Sequence, residues 1–189
     1  SYFSYVKTLQ GYGDVNLSEK DSLLYASGEN LYITGKYQRA TEIFRNYISE
    51  FPSGSFLQNA QFYLAECYRR TGNEEEALKY YVTIAGAPVN QFTEQAVGQA
   101  AGIFYSREDY EKSLEYYERL GKNASNADIK RTALGGELRS AYQLGDAQKT
   151  IVAADKITNA TGISEELSRE ATFMRAKANY SLNNFDLSL

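Results

Sequence analysis

Five short turns recur along the chain at an almost constant interval, and few folds are open to a chain with that property. The turns open at Gly35, Gly72, Glu108, Gly145 and Asn183, so their first residues lie 37, 36, 37 and 38 positions apart. Ahead of each turn a small or apolar residue occurs twice, five positions apart. The pairs are Leu23 and Gly28, Ala60 and Ala65, Ala96 and Ala101, Ala133 and Leu138, and Ala171 and Ala176. Behind the first four turns come Ala40, Phe44 and Tyr47, then Ala77, Tyr81 and Ile84, then Ser113, Tyr117 and Leu120, then Thr150, Ala154 and Ile157. Spacings of three and four put such residues on one face of an α-helix. Each repeat is therefore a helix, a tight turn and a second helix. One such pair cannot bury its apolar face alone, so the copies must stack. The predicted fold class is all-α, an α-solenoid of about ten helices in antiparallel pairs with no paired strands.

Local signals agree with this phasing. Asn73 stands three residues before Glu76 and Ser106 three before Asp109, which reads as two N-caps with acidic partners. Asp146 is positioned to cap in the same way. Only two prolines occur in 189 residues. Pro52 follows Phe51 at the expected end of a second helix, where it cannot donate the next backbone hydrogen bond and turns its predecessor away from helical geometry. Ala40 is expected to sit where two helices approach closely, and Phe44 to fill the space between repeats. Buried positions are expected to include Ala40, Phe44, Ala65, Tyr81, Ala101 and Tyr117.

These residues resemble the tetratricopeptide repeat (TPR) family, whose signature runs W-x2-L-G-x2-Y, then A-x3-F, then P. The first copy supplies Leu24, Gly28, Leu31, Ala40, Phe44 and Pro52, and the second Leu64, Ala65, Tyr68, Ala77 and Tyr81, with Pro88 one place early. The third has Phe104, Tyr110 and Tyr117 but Ser113 in the alanine slot, and the fourth keeps Thr150 and Ala154. No copy has the leading tryptophan, and the interval exceeds the family's period of about 34 residues. The resemblance implies a right-handed superhelix over residues 21–189, with repeats at about 21–55, 56–90, 91–126, 127–163 and 164–189. Residues 1–20 are expected to hold the tail of a preceding repeat helix, with Tyr2 and Tyr5 spaced like Phe44 and Tyr47, and a loop. The last repeat is expected to be truncated, as in a fragment of a longer protein.

In that family the first helices of the repeats line a concave surface. Carried onto this chain, the resemblance places Tyr25, Phe62, Gly98, Gly135 and Phe173 at one inner position, and Glu29, Glu66, Gly102, Arg139 and Lys177 at the next. Tyr32, Arg69, Tyr105, Tyr142 and Tyr180 fall at a third. The expected partner-binding residues are therefore Tyr25, Glu29, Tyr32, Phe62, Glu66, Arg69, Tyr105, Arg139, Tyr142, Phe173, Lys177 and Tyr180. Rings would alternate with charges, acidic in the early repeats and basic in the late ones. Any single aromatic at helical spacing is more often packing than recognition, whereas a repeated exposed stripe on a concave array is more often ligand surface. Gly98 and Gly102 read as close helix packing, and Gly135 with Gly136 as a bend.

Composition then removes whole classes of chemistry. Histidine is absent and cysteine occurs once, so Ser-His, Cys-His, thiolate-zinc and CxxC arrangements cannot be built from this chain. Catalysis is not expected, nor any cofactor or metal. A net charge of −4 gives no reason to expect nucleic acid, and no apolar run approaches the roughly 18 residues that span a bilayer. Cys67, inside an apolar helix, reads as a buried inert thiol. Asn123-Ala-Ser and Asn159-Ala-Thr match the glycosylation sequon. The expected function is a non-catalytic scaffold for a protein or peptide ligand. The stretch GKYQRATEIFRNYISEFPSGSFLQNAQFYLAECYRRTG is also similar to bacterial cell-envelope TPR proteins of the Tol-associated and outer-membrane assembly lipoprotein type, which implies a periplasmic setting. Carbohydrate binding is the rival reading, disfavoured by the absence of tryptophan. Self-association is expected through Phe173, Met174, Leu182, Phe185 and Leu187, the face a further helix would cover.

Overall fold

The computed structural model describes residues 17–182, and every regular element among them is an α-helix. These are α1 (Leu17–Ile33), α2 (Tyr37–Glu50), α3 (Leu57–Arg70), α4 (Glu74–Gly86), α5 (Thr93–Ser106), α6 (Tyr110–Lys122), α7 (Ala127–Gln143), α8 (Ala147–Thr158) and α9 (Glu165–Ser181). The turn at Asn183, the segment holding Tyr2 and Tyr5, and Phe185, Leu187 and Leu189 lie outside the described residues. The chain forms two compact units that meet between Asn73 and Glu74.

The recurring turns share one backbone device. Gly35, Gly72, Glu108 and Gly145 all have left-handed φ, between 62° and 80°. The next residue's N–H returns to a carbonyl five positions back: Lys36 to Leu31, Asn73 to Tyr68, Asp109 to Phe104, Asp146 to Ala141. A second bond closes each turn, such as Gly35 N–H to the Tyr32 carbonyl at 3.0 Å. This is the Schellman cap, which satisfies carbonyls that the helix end leaves unpaired. The following helix starts at once. Asp109 and Asp146 accept from the N–H groups of Lys112 and Lys149, and Asn126 and Ser164 cap α7 and α9 likewise. Ser106, expected as a cap, is instead the last residue of α5, and its hydroxyl donates back to the Ile103 carbonyl at 2.9 Å. The stop before Pro52 is as expected, with α2 ending at Glu50.

In the first unit α1, α2 and α3 all touch one another. Phe44 lies over Gly28, where an added β-carbon would stand 2.7 Å from its ring, and stacks on Tyr63 at 5.9 Å. Asp21, buried near the start of α1, accepts from the Tyr47 hydroxyl and from the Ser55 N–H. Tyr47 in turn accepts from the Phe56 N–H, so one buried polar cluster fixes α2 and the entry to α3.

In the second unit each helix from α4 to α9 packs on its successor, and α5, α7 and α9 touch in order. Leu134, Leu138, Ala154, Ile157 and Ala171 form one core, and Val97, Leu120 and Ala133 another. Of the expected buried set, Ala40, Phe44, Ala65, Tyr81 and Ala101 are fully enclosed. Tyr117 is not: it is half-buried, its ring lying across Gly136. Gly136 thus makes room for a ring within the span of α7. Leu23 also departs from its counterparts, at 55% exposure where Ala60, Ala96, Ala133 and Ala171 are enclosed.

Candidate functional site

The inner-face positions behave differently in the two units. In the first, three expected surface residues are core. Tyr25, Phe62 and Glu66 are all buried, Glu66 at 2% exposure. Tyr25 stacks on Phe56 with centroids 4.6 Å apart and planes 6° from parallel. Its hydroxyl donates to Glu29 Oε1 at 2.7 Å, and burial, helped by that carboxylate, holds the phenol well above its ordinary pKa. The Glu66 carboxylate pairs with the Arg69 guanidinium at 2.8 Å. Tyr32 keeps part of its ring exposed between Tyr37 and Tyr63. Tyr63, absent from the expected set, is the hub, within 6.5 Å of Tyr25, Tyr32, Phe44 and Phe62. Repeat phase identifies the face of a helix, but here neighbouring rings fill that face.

More of the expected residues are exposed in the second unit. Tyr105 on α5 and Tyr142 on α7 are half-buried, and Tyr105 meets Tyr110 edge to face at 5.4 Å. Gly135 is buried against Leu167. Arg139 binds Glu170 of α9 through two parallel bonds, at 2.7 and 2.6 Å, and that contact raises its guanidinium pKa further. Its charge is therefore largely met inside the fold. On α9, Phe173 is 57% and Tyr180 65% exposed. The Lys177 ammonium sits 5.1 Å over the Phe173 ring. Gly98 and Gly102 are not tight contacts, since β-carbons there would meet their nearest neighbours at 3.5 and 3.8 Å.

Two hollows open in the second unit. One, about 460 Å³, lies between α5 and α7, and the other, about 630 Å³, between α7 and α9 beside Arg139, Ser164 and Leu167. The first is rimmed by Gln91, Gln95 and Gln99, which were not among the expected residues although their spacing of four was there to be read. No group of three His, Cys, Asp or Glu that could hold a metal ion occurs among the described residues. No helix among them is long and apolar enough to cross a membrane. Cys67 is buried, which pushes its thiol up to about 12.

Residues 59–85, spanning most of α3 and α4, match the family model for the tetratricopeptide repeat. A tetratricopeptide repeat protein from Parabacteroides merdae has a similar solved structure, with a TM-score of 0.66 at 20% identity over 89% of this chain. The fold is that of tetratricopeptide repeats. This chain spans 62% of the length of the P. merdae protein. A Podosopora anserina protein of nearly identical TPR-like repeats superimposes with a TM-score of 0.59 at 12% identity, covering 92% of each chain. BtubC from P. vanneervenii does so at 0.54 and 15%, covering 91% of this chain and 75% of its own. At these identities the likeness is one of fold alone. No curated protein matches the chain in sequence. The TPR pattern accounts for the left-handed turns at the phased positions and for the small residues under rings.

Proposed function

We propose that this chain is a non-catalytic TPR scaffold that holds a protein or peptide partner on the inner faces of its first helices, as part of a bacterial cell-envelope assembly. The observation that carries the reading is the surface of α9. Phe173 and Tyr180 are more than half exposed, with the Lys177 ammonium between them in sequence and lying over the Phe173 ring. Large rings exposed beside a cation suit an interface core, where aromatics supply area at low rotamer cost. Tyr105 and Tyr142 add half-exposed rings on α5 and α7 of the same unit. The envelope setting rests on the similarity of residues 35–72 to envelope TPR proteins.

The test is affinity capture with the full chain from periplasmic and cytoplasmic extracts of the source, followed by titration calorimetry with whatever is captured. Phe173→Ala with Tyr180→Ala should weaken binding by well over 1 kcal/mol with the thermal midpoint unchanged. Lys177→Glu should chiefly slow association and alter its salt dependence. Unchanged binding by both variants would remove the inner face from consideration. A titration against oligosaccharides in place of peptides, if it gave the tighter binding, would turn the reading to carbohydrate capture.

A further inference from the structure

A further hollow of the second unit, about 420 Å³, lies at the end of the α5–α6 pair opposite the Glu108 turn. The α4–α5 connection, the first turns of α5 and the last turn of α6 surround it. Its lining holds one cation and one anion, Arg119 and Glu94. Both are half-buried, and neither is in an ion pair among the described residues. By contrast Arg131, Arg139 and Arg175 of the same unit each have a carboxylate partner. Charges held partly out of water without counter-ions are a cost that packing does not explain. Arg119 donates one N–H to the Ala85 carbonyl, which anchors the side chain and leaves the rest of its five donors open. The Glu94 oxygens accept the Ser125 N–H and hydroxyl, both at 2.6 Å, and each keeps a lone pair. Thr93 is buried and accepts the Asn90 N–H at 2.9 Å, and among the described residues nothing accepts its own proton. Buried Val97 and Leu120, with Val89 at 87% exposure, supply the apolar surface.

We propose that this hollow binds a free α-amino acid with a branched aliphatic side chain, a function separate from the partner surface above. Such a molecule carries a carboxylate, an ammonium and a side chain on one carbon, and the hollow offers a group for each. The carboxylate accepts from the Arg119 guanidinium, whose planar fork suits two oxygens, and from the Thr93 hydroxyl. The ammonium donates to Glu94 and to the amide oxygen of Asn123, whose amide nitrogen is already committed to the Arg119 carbonyl at 3.0 Å. The side chain covers Val89 and rests on Val97 and Leu120. Removing that apolar surface from water drives binding, and the two charge contacts make it selective. The volume falls in the range of about 300–1,000 Å³ usual for small-ligand pockets. A peptide carries its amine and its carboxylate on different residues, so one seated residue of it meets at most one of the two charges.

The experiment titrates the full chain with L-leucine, followed by calorimetry and by amide chemical shifts. Saturable binding below about 10 mM is expected, with shifts centred on Val89, Thr93 and Leu120. Leucinamide lacks the carboxylate and N-acetyl-leucine the ammonium, and each should bind about tenfold more weakly or worse. Glycine, with no side chain, should lose about as much. Glu94→Gln keeps an acceptor for Ser125. It should erase the preference for leucine over N-acetyl-leucine while keeping that over leucinamide, and Arg119→Gln should do the reverse. Loss of the Ala85 contact alone would weaken every probe equally, so an equal loss in Arg119→Gln overturns the carboxylate assignment. Equal binding of leucine and its two derivatives by the parent overturns recognition of a zwitterion. No saturable binding of leucine by the folded parent, or shifts centred outside the hollow, overturns the site. Phe173→Ala with Tyr180→Ala should bind leucine as the parent does, which keeps this test apart from that of the partner surface.

Discussion

A β-carbon added at Gly136 would lie 2.5 Å from three ring carbons of Tyr117, whereas one added at Gly98 meets nothing nearer than 3.5 Å. The two glycines sit in helices of one unit, and both carry the same intrinsic penalty against alanine. Their substitutions should therefore have opposite signs. Gly98→Ala should stabilise by about 0.5–1 kcal/mol, since helix propensity improves and no atom must move. Gly136→Ala should destabilise by about 1–3 kcal/mol, because the body of a half-buried ring must shift. Thermal or denaturant unfolding of the two variants checks this, and a common sign would mean that propensity alone governs both sites. Sequence showed that each glycine was costly but not what occupied the space above it. Gly28, at the motif's own glycine position beneath Phe44, was readable because the motif names both partners.

Ser113 occupies the slot that alanine fills in the two earlier repeats, and the reason lies in how three helices meet. Its hydroxyl donates to the Ala101 carbonyl of α5 at 3.1 Å and lies 2.9 Å from the Ser140 hydroxyl of α7. The Ser113 proton is committed to the carbonyl, so Ser140 donates to Ser113. Both side chains are fully enclosed. Ser113→Ala deprives Ala101 of a donor and Ser140 of its acceptor, and should cost about 1–2 kcal/mol. Ser140→Ala leaves the Ser113 bond to Ala101 intact and should cost less. The double variant should fall short of the sum, which a double-mutant cycle by denaturant unfolding measures. A larger loss for Ser140→Ala would reverse the assigned direction of donation. At this scale the helices and turns were legible, because phase and left-handed turn residues are written locally. The cap at α6 was misplaced from Asp109 to Ser106 because a serine before an acidic residue fits the capping pattern in either register. Burial at the expected site positions was not legible. Tyr25 and Phe62 are buried because Phe56 from the α2–α3 connection packs on Tyr25 and Tyr63 lies against both, and repeat arithmetic does not report connections or neighbours.

Seventeen tyrosines in 189 residues make the response of the whole molecule to alkali a property of its packing. Burial raises the Tyr47 phenol from 10.0 to about 12, reinforced by the bond it donates to the Asp21 carboxylate. Burial likewise lifts the Cys67 thiol from 9.0 to about 12 and raises Tyr25, Tyr32 and Tyr63 in the first unit, and Tyr116 and Tyr117 in the second. Each group is held protonated in the fold and ionises more readily once the chain opens. A folded pKa above the unfolded value gives stability that is complete below the unfolded value and lost as pH rises through the folded one. The loss should therefore begin near pH 9 with Cys67, deepen above 10 as the phenols join, and still be growing at about 12. More of the raised groups lie in the first unit, around Tyr25, Tyr47 and Tyr63, so that unit should open first. Helical circular dichroism, phenolate absorbance and reaction of Cys67 with a thiol reagent, followed together against pH, test this. The thiol should stay unreactive until helicity falls, because both depend on opening the same three helices. Phenolate formation complete near pH 10 with helicity intact would mean that solvent reaches these rings in the folded state, and the aromatic cluster of the first unit would then be a surface rather than a core.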